Sequence, residues 1–225
     1  MNLDQAVAKI IEYTTEHKEL MKSHHFLYNL PLPNADLKKV KFIVFGINPS
    51  EANEDWKLIN EPMQQETHLI DFHEKYGRGR ASIKWHGKIE NICKTSNVVQ
   101  TEAFFWSSKR INKEYFDTRF GYSFNSDACR KHIEFCKMLN LLMFDYYKPL
   151  AVIAPGLGLV DVLADIYGLK AICTIKCPNT GHRLIERYED VAGLPWVFTK
   201  HWSGARGFTK EQSNIISDYV VSLDR

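Results

Sequence analysis

No stretch of this chain is apolar for the roughly 18 residues that a membrane-crossing helix needs. No basic segment leads into an apolar one at its start, Met1-Asn2-Leu3-Asp4, so neither a membrane span nor a signal peptide is expected. Charge of one sign is lacking too: 29 Lys and Arg stand against 27 Asp and Glu, a formal net charge of +2. So balanced a chain would not hold long duplex DNA by its overall field, and any contact with nucleic acid must come from a local basic patch. There are no internal repeats and no low-complexity linkers. The five cysteines lack paired metal-ligand spacing, since Cys173 and Cys177 have no second pair. An odd cysteine count in 225 residues reads as reduced thiols in a cytoplasmic protein. Cys129 and Cys136 fall on a helical apolar stripe and are expected to be small buried hydrophobes.

Several catalytic signatures are missing. There is no Walker phosphate loop, no G-x-S-x-G elbow and no H-E-x-x-H. Gly156-Leu157-Gly158 suggests a dinucleotide fingerprint, but the third glycine it requires is Asp161. A strand-to-helix turn explains this segment better.

What is present alternates between short apolar runs and amphipathic stretches. Strands are expected at Val40–Ile47, Val98–Trp106, Leu150–Ala154 and Pro195–Thr199, the middle two with little alternation, as strands buried on both faces require. Ala171–Lys176 is a further strand candidate, and Gly181–Tyr188 reads as an irregular excursion. Helices are expected over Leu3–Met21, from an N-cap at Ser126 to Tyr146, over Leu157–Tyr167 ending at Gly168, and over Thr209–Leu223. The polar stretch from Glu51 to Thr95 has no clear assignment. The pattern predicts an α/β fold: a three-layer α/β/α arrangement around a central, mostly parallel four-stranded sheet. It forms a single domain over 1–225, with 1–37 an N-terminal helix and loop packing on the core.

Ligands of such sheets bind beyond the carboxyl ends of the strands. Two ends carry chemistry, Gly46-Ile47-Asn48-Pro49-Ser50 and His201-Trp202-Ser203-Gly204. An asparagine amide orients a water and stabilises charge, but is no base. A histidine donates a hydrogen bond to a developing anion even when neutral. The pair suits a weakly activated water and a strongly polarised leaving group. Locally, an Asn-Pro turn and a structural histidine explain the same residues.

Gly46-Ile47-Asn48-Pro49 resembles the first motif of the uracil-DNA glycosylase superfamily, in the form of its mismatch-specific and single-strand-selective branches. His201-x-Ser203-Gly204 resembles the second. The resemblance covers roughly residues 38 to 222. It implies a DNA glycosylase, expected to be a monomer, that flips a damaged or foreign base into a pocket and hydrolyses its glycosidic bond, and Ala205 in place of an apolar wedge points to single-stranded DNA as its substrate. No cofactor or metal is implied. Asn48 would position the water and His201 would donate to the base oxygen. Gly46, Ile47, Pro49 and Ser50 would border the base, Trp56 would stack on it, and the loop of Ser203, Gly204 and Arg206 would press on the DNA backbone or fill the gap left by the flipped base. Phe72 and Tyr76 are rival stacking residues.

The chain departs from the family pattern at three places. Glu102 stands where the family reads uracil with an asparagine. An ionised carboxylate there suits a base edge with two donors, a protonated one would imitate asparagine, and a shifted alignment would leave it in solvent. Trp202 replaces a proline, as a stacking platform or as a core anchor. Ala205 replaces an apolar wedge. A nucleic-acid-binding relative with weak catalysis, or a nucleoside or nucleotide hydrolase, are the alternative readings.

Overall fold

A computed structural model describes residues 3–17, 26–29, 39–49, 66–68, 74–75, 80–108, 115–203 and 207–224. In chain order the elements are α1 (Leu3–His17), β1 (Phe26–Tyr28), β2 (Phe42–Gly46), β3 (Glu66–His68), α2 (Arg80–Cys93) and β4 (Val98–Glu102). There follow a π-helical turn (Tyr115–Arg119), α3 (Asp127–Tyr147), β5 (Ala151–Pro155), a 3-10 turn (Leu157–Leu159) and α4 (Val160–Tyr167). The chain ends in β6 (Lys170–Lys176), β7 (Arg183–Glu189), β8 (Pro195–Thr199) and α5 (Lys210–Ser222). No described helix is long and apolar enough to cross a membrane. Contacts divide the chain into two compact units. The first is Met1–Leu32, Ile47–Lys84 and Thr101–Tyr146, and the second is Pro33–Gly46, Trp85–Gln100 and Tyr147–Arg225.

The second unit is built on a six-stranded sheet of order β4-β2-β5-β8-β7-β6, whose first strand carries the chain across to the first unit after Gln100. The α/β class expected from the alternating pattern is the one observed, and the four expected strands are neighbours in the sheet, with β2, β5 and β8 paired in parallel. The sheet is nevertheless not four-stranded. β7 pairs antiparallel with β8, and β6 antiparallel with β7, making a mixed sheet. The segment expected to be irregular is β7. Its charges at Arg183, Glu186, Arg187 and Glu189 hide the strand in sequence, and the edge strand β6 is exposed along nearly its whole length.

Side chains alternate across a strand, and both faces of this sheet are covered. Phe42, Val44, Ala151, Ile153 and Val197 face a cluster with Ile89, Ile92 and Cys93 of α2 and Ile216 and Val220 of α5. On the other face, Phe45 and Trp196 meet Tyr167 of α4 edge-on and tilted. Burial pushes the Cys93 thiol up to about 12, so it packs as a small hydrophobe. α4 stops at Gly168, whose φ of 66° is the left-handed cap expected there. α5 begins with a reciprocal capping box between Thr209 and Gln212.

The first unit contains α1, α3, the π-helical turn and a two-stranded parallel sheet of β1 and β3. Ser126 caps α3 by accepting from Cys129 N–H at 3.2 Å. The buried face of α3 is Cys129, His132, Cys136, Leu139, Asn140, Met143 and Phe144. Tyr146, the expected end of this helix, is 58% exposed. Its interior is threaded by polar groups. Tyr13 Oη bonds Tyr122 Oη at 2.7 Å and His132 Nδ1 at 2.8 Å, Tyr122 Oη reaches His17 Nε2 at 2.6 Å, and Tyr115 Oη reaches His132 Nε2 at 3.0 Å. The Tyr13 carbonyl only accepts, so His17 Nδ1, 2.9 Å away, must donate to it. With both rings neutral the rest follows in order: Tyr122 donates to His17, Tyr13 to Tyr122, His132 Nδ1 to Tyr13, and Tyr115 to His132 Nε2. Each link has one donor and one acceptor. Burial depresses the imidazole of His132 to about 3, and raises the Tyr13 hydroxyl above its ordinary range.

Candidate functional site

Apart from Gly46 the first motif lies in the first unit, and the second motif lies in the second unit. In the first unit, Ile47, Asn48 and Pro49 follow directly on the end of β2. The Ile47 carbonyl accepts from Phe104 N–H at 2.9 Å, tying the first motif to the segment after β4. Pro49 is buried and Asn48 is half-buried. The amide nitrogen of Asn48 donates to the Pro49 carbonyl at 3.0 Å, the Ser108 carbonyl at 2.9 Å and the Ser108 hydroxyl at 3.2 Å. Carbonyls cannot donate, so this contact set fixes which end of the amide is nitrogen. Oδ1 has no hydrogen-bond partner among the described residues.

Glu102 closes β4 and is 4% exposed, so it does not face solvent. Its Oε2 accepts from Asn29 Nδ2 at 2.7 Å. Its carbonyl, with that of Ala103, accepts from Asn140 Nδ2 at 3.2 Å. Asn29 is itself pinned through its backbone N–H to the Phe105 carbonyl at 2.8 Å. Asn29, Ser108 and Asn140 were not expected at the site. Each acts through a bond to a residue distant in sequence, for which no local pattern exists.

In the second unit, Gly46 ends β2 and His201 to Ser203 follow β8. His201 Nδ1 accepts from the backbone N–H of Ser203 at 3.1 Å and lies 3.0 Å from its hydroxyl. A nitrogen that accepts an N–H carries no proton of its own, so in the neutral ring the proton sits on Nε2. Trp202 is fully buried, with Nε1 donating to Thr199 Oγ1 at 2.8 Å. Its ring belongs to the apolar cluster beneath the sheet. Of the two places expected for it, stacking platform and core anchor, complete burial with its one donor used fits the core anchor.

Two residues of α2 complete this half. Trp85 stacks on His201 with centroids 5.7 Å apart and planes 25° apart, and on Trp202 at 5.4 Å and 26°. Lys88 Nζ donates to the Trp202 carbonyl. Both residues stand out in sequence only as part of a basic and aromatic stretch. Gly87 between them, and the lack of a cap or a long apolar stripe, conceal the helix. Ser50, Trp56, Gly204 and Arg206 lie outside the described residues, as do Phe72, Tyr76 and Ala205.

Among the described residues, no group of three or more His, Cys, Asp or Glu side chains is placed to hold a metal ion. A surface depression of 330 Å³ lies on α3, lined by Glu134, Lys137, Met138, Leu141 and Leu142, and contains no motif residue. No protein-family model matches the chain, and no characterised protein matches it in sequence.

Proposed function

We propose that this chain is a DNA glycosylase-like hydrolase that removes a damaged or foreign base by hydrolysing its N-glycosidic bond. The reading places it in the three-layer α/β/α fold of the uracil-DNA glycosylase superfamily, acting as a cytoplasmic monomer on DNA that is unpaired at the target. One observation carries it: the residue in the second motif's histidine position has its proton on Nε2, the tautomer that donates to an anion. The first motif is compatible, since Asn48 is anchored by its nitrogen and presents its oxygen.

In this mechanism the bond from the sugar C1′ to the base nitrogen breaks, and its electron pair leaves with the base. Charge gathers on a base carbonyl oxygen, where Nε2–H of His201 stabilises it. Asn48 Oδ1 holds a hydrogen of the water whose oxygen forms the new bond to C1′. Asn48 takes no proton, so the water's surplus proton passes to the released base or to solvent. Glu102 stands where the superfamily reads its base, and as a carboxylate it would favour an edge that presents donors.

The test is incubation with single- and double-stranded oligonucleotides carrying uracil, hypoxanthine, xanthine or an undamaged base, followed by alkali. Strand scission is expected for at least one base. It is lost in Asn48→Ala, and kcat falls roughly 100- to 1000-fold in His201→Ala. Glu102→Asn, which keeps an acceptor for Asn29 and adds a donor, is expected to move activity towards uracil. No scission by the unmutated protein on the whole panel would overturn the reading. The formal net charge of +2 favours a second reading, a hydrolase of small nucleosides or nucleotides. Turnover of free nucleosides with no scission of oligonucleotides would select it.

A further inference from the structure

Trp85 and Lys88 are three residues apart in α2, and residues at this spacing share one face of a helix. They converge on a single peptide unit. Its carbonyl is that of Trp202, which accepts from the Lys88 ammonium. Its N–H is that of Ser203, which donates to His201 Nδ1 at 3.1 Å. A cation bonded to a peptide oxygen polarises the whole amide and strengthens the bond its N–H donates. Lys88 therefore reaches His201 through one peptide plane without touching it. Trp85 acts on the ring itself. It is stacked on His201 at 5.7 Å and 25°, and on the neighbouring Trp202 at 5.4 Å and 26°. Trp202 is held by complete burial and by its bond to Thr199, so Trp85 bridges an immobile ring and a ring that must be aimed.

We infer that Trp85 and Lys88 are positioning residues for His201: Lys88 fixes the Nε2–H tautomer through the Trp202–Ser203 peptide, and Trp85 fixes the plane of the imidazole. The assignment of a reaction to His201 rests on the proposed glycosylase reading, but the fixed tautomer does not. The pair delivers a stationary donor whose direction is set before substrate arrives. Donors that need no reorganisation at the moment of reaction are those that accelerate it.

The experiment is ¹⁵N NMR of the histidine side chains in the full chain, without substrate, at a pH where the rings are neutral. The unmutated protein is expected to show an acceptor-type Nδ1 and a protonated Nε2 for His201, identified by its loss in His201→Gln. In Lys88→Met, which keeps the aliphatic stem, the two nitrogens are expected to shift towards the averaged values of a free imidazole. Lys88→Arg restores the original pair. Trp85→Phe, which keeps a ring to stack, retains the pattern, and Trp85→Ala loses it. Base release by Lys88→Met is expected to fall in kcat by up to about 100-fold with KM nearly unchanged. An unmutated His201 signal in folded Lys88→Met and Trp85→Ala overturns the inference. If Trp85→Ala is unfolded by far-UV circular dichroism, Lys88→Met and its Arg rescue decide alone. Averaging in Lys88→Met when the unmutated protein releases no base leaves the positioning role standing and removes the glycosylase reading.

Discussion

The two units bury their interiors by opposite means. The second packs aliphatic and aromatic side chains on both faces of a sheet whose strands are joined by backbone ladders. The first runs a line of phenols and imidazoles, His17, Tyr122, Tyr13, His132 and Tyr115, through its aromatic interior. A core of the first kind is limited by how well volume is filled. A core of the second kind is limited by whether each polar group keeps its partner, since one missing member leaves its neighbours buried and unsatisfied. The same contrast marks the candidate residues. Asn48 is held by carbonyls, His201 by an N–H and two stacked or neighbouring indoles.

The sharpest way to test the apolar side is Trp202→Ala. It empties a fully buried site in the second unit, and a cost of about 3–5 kcal/mol is expected from the lost burial and the cavity. Urea denaturation would measure it, and a cost under about 1 kcal/mol would contradict the place of Trp202 in the core. The polar side is tested by acid. Burial depresses the folded His132 imidazole to about 3, against an ordinary value of 6.5. Below 6.5 the unfolded state thus binds one more proton than the folded state, and stability is lost as pH falls. The expected slope from this group is about 1.4 kcal/mol per pH unit until its folded value is reached. Urea midpoints between pH 7 and 4 should decline less steeply in His132→Gln than in the unmutated chain, and equal slopes would end the comparison. The smallest effect is expected at the α5 cap. Thr209→Ala removes one half of the capping box, at about 1 kcal/mol, seen as a small drop in Tm with no change in its pH dependence.

The sequence makes legible what local chemistry dictates. β2 and β5 announce themselves as apolar runs ended by Gly or Pro, β8 as one opened by Pro195, and α3, α4 and α5 by their caps or apolar stripes. β7 was not legible, because Arg183, Glu186, Arg187 and Glu189 overlay a strand buried at Leu184 and Ile185. Nor was α2, whose apolar contacts Ile89, Ile92 and Cys93 sit in one turn and a half beyond a glycine. Of the site, Asn48 and His201 follow from strand ends and motif spacing. Their supports do not: Asn29 meets Glu102 across 73 residues, and Lys88 meets Trp202 across 114. No window of sequence contains both members of such a pair, and only the folded chain brings them together.

The strand order also sets a schedule for assembly. β6 and β7 are joined by a short turn, with Lys176 opposite Arg183, and such a hairpin closes within microseconds. β2 must wait for β5, with Phe42 opposite Ala151, and long-range parallel pairing of this kind is slow. The last of the described strands in chain order, β8, is an inner one, pairing with β5 on one side and β7 on the other. Without Pro195–Thr199, the parallel pair β2–β5 and the β6–β7 hairpin would each have an open edge and no strand between them. A nascent chain halted before β8 is at its most exposed to aggregation, and it is β8 that makes one sheet of two.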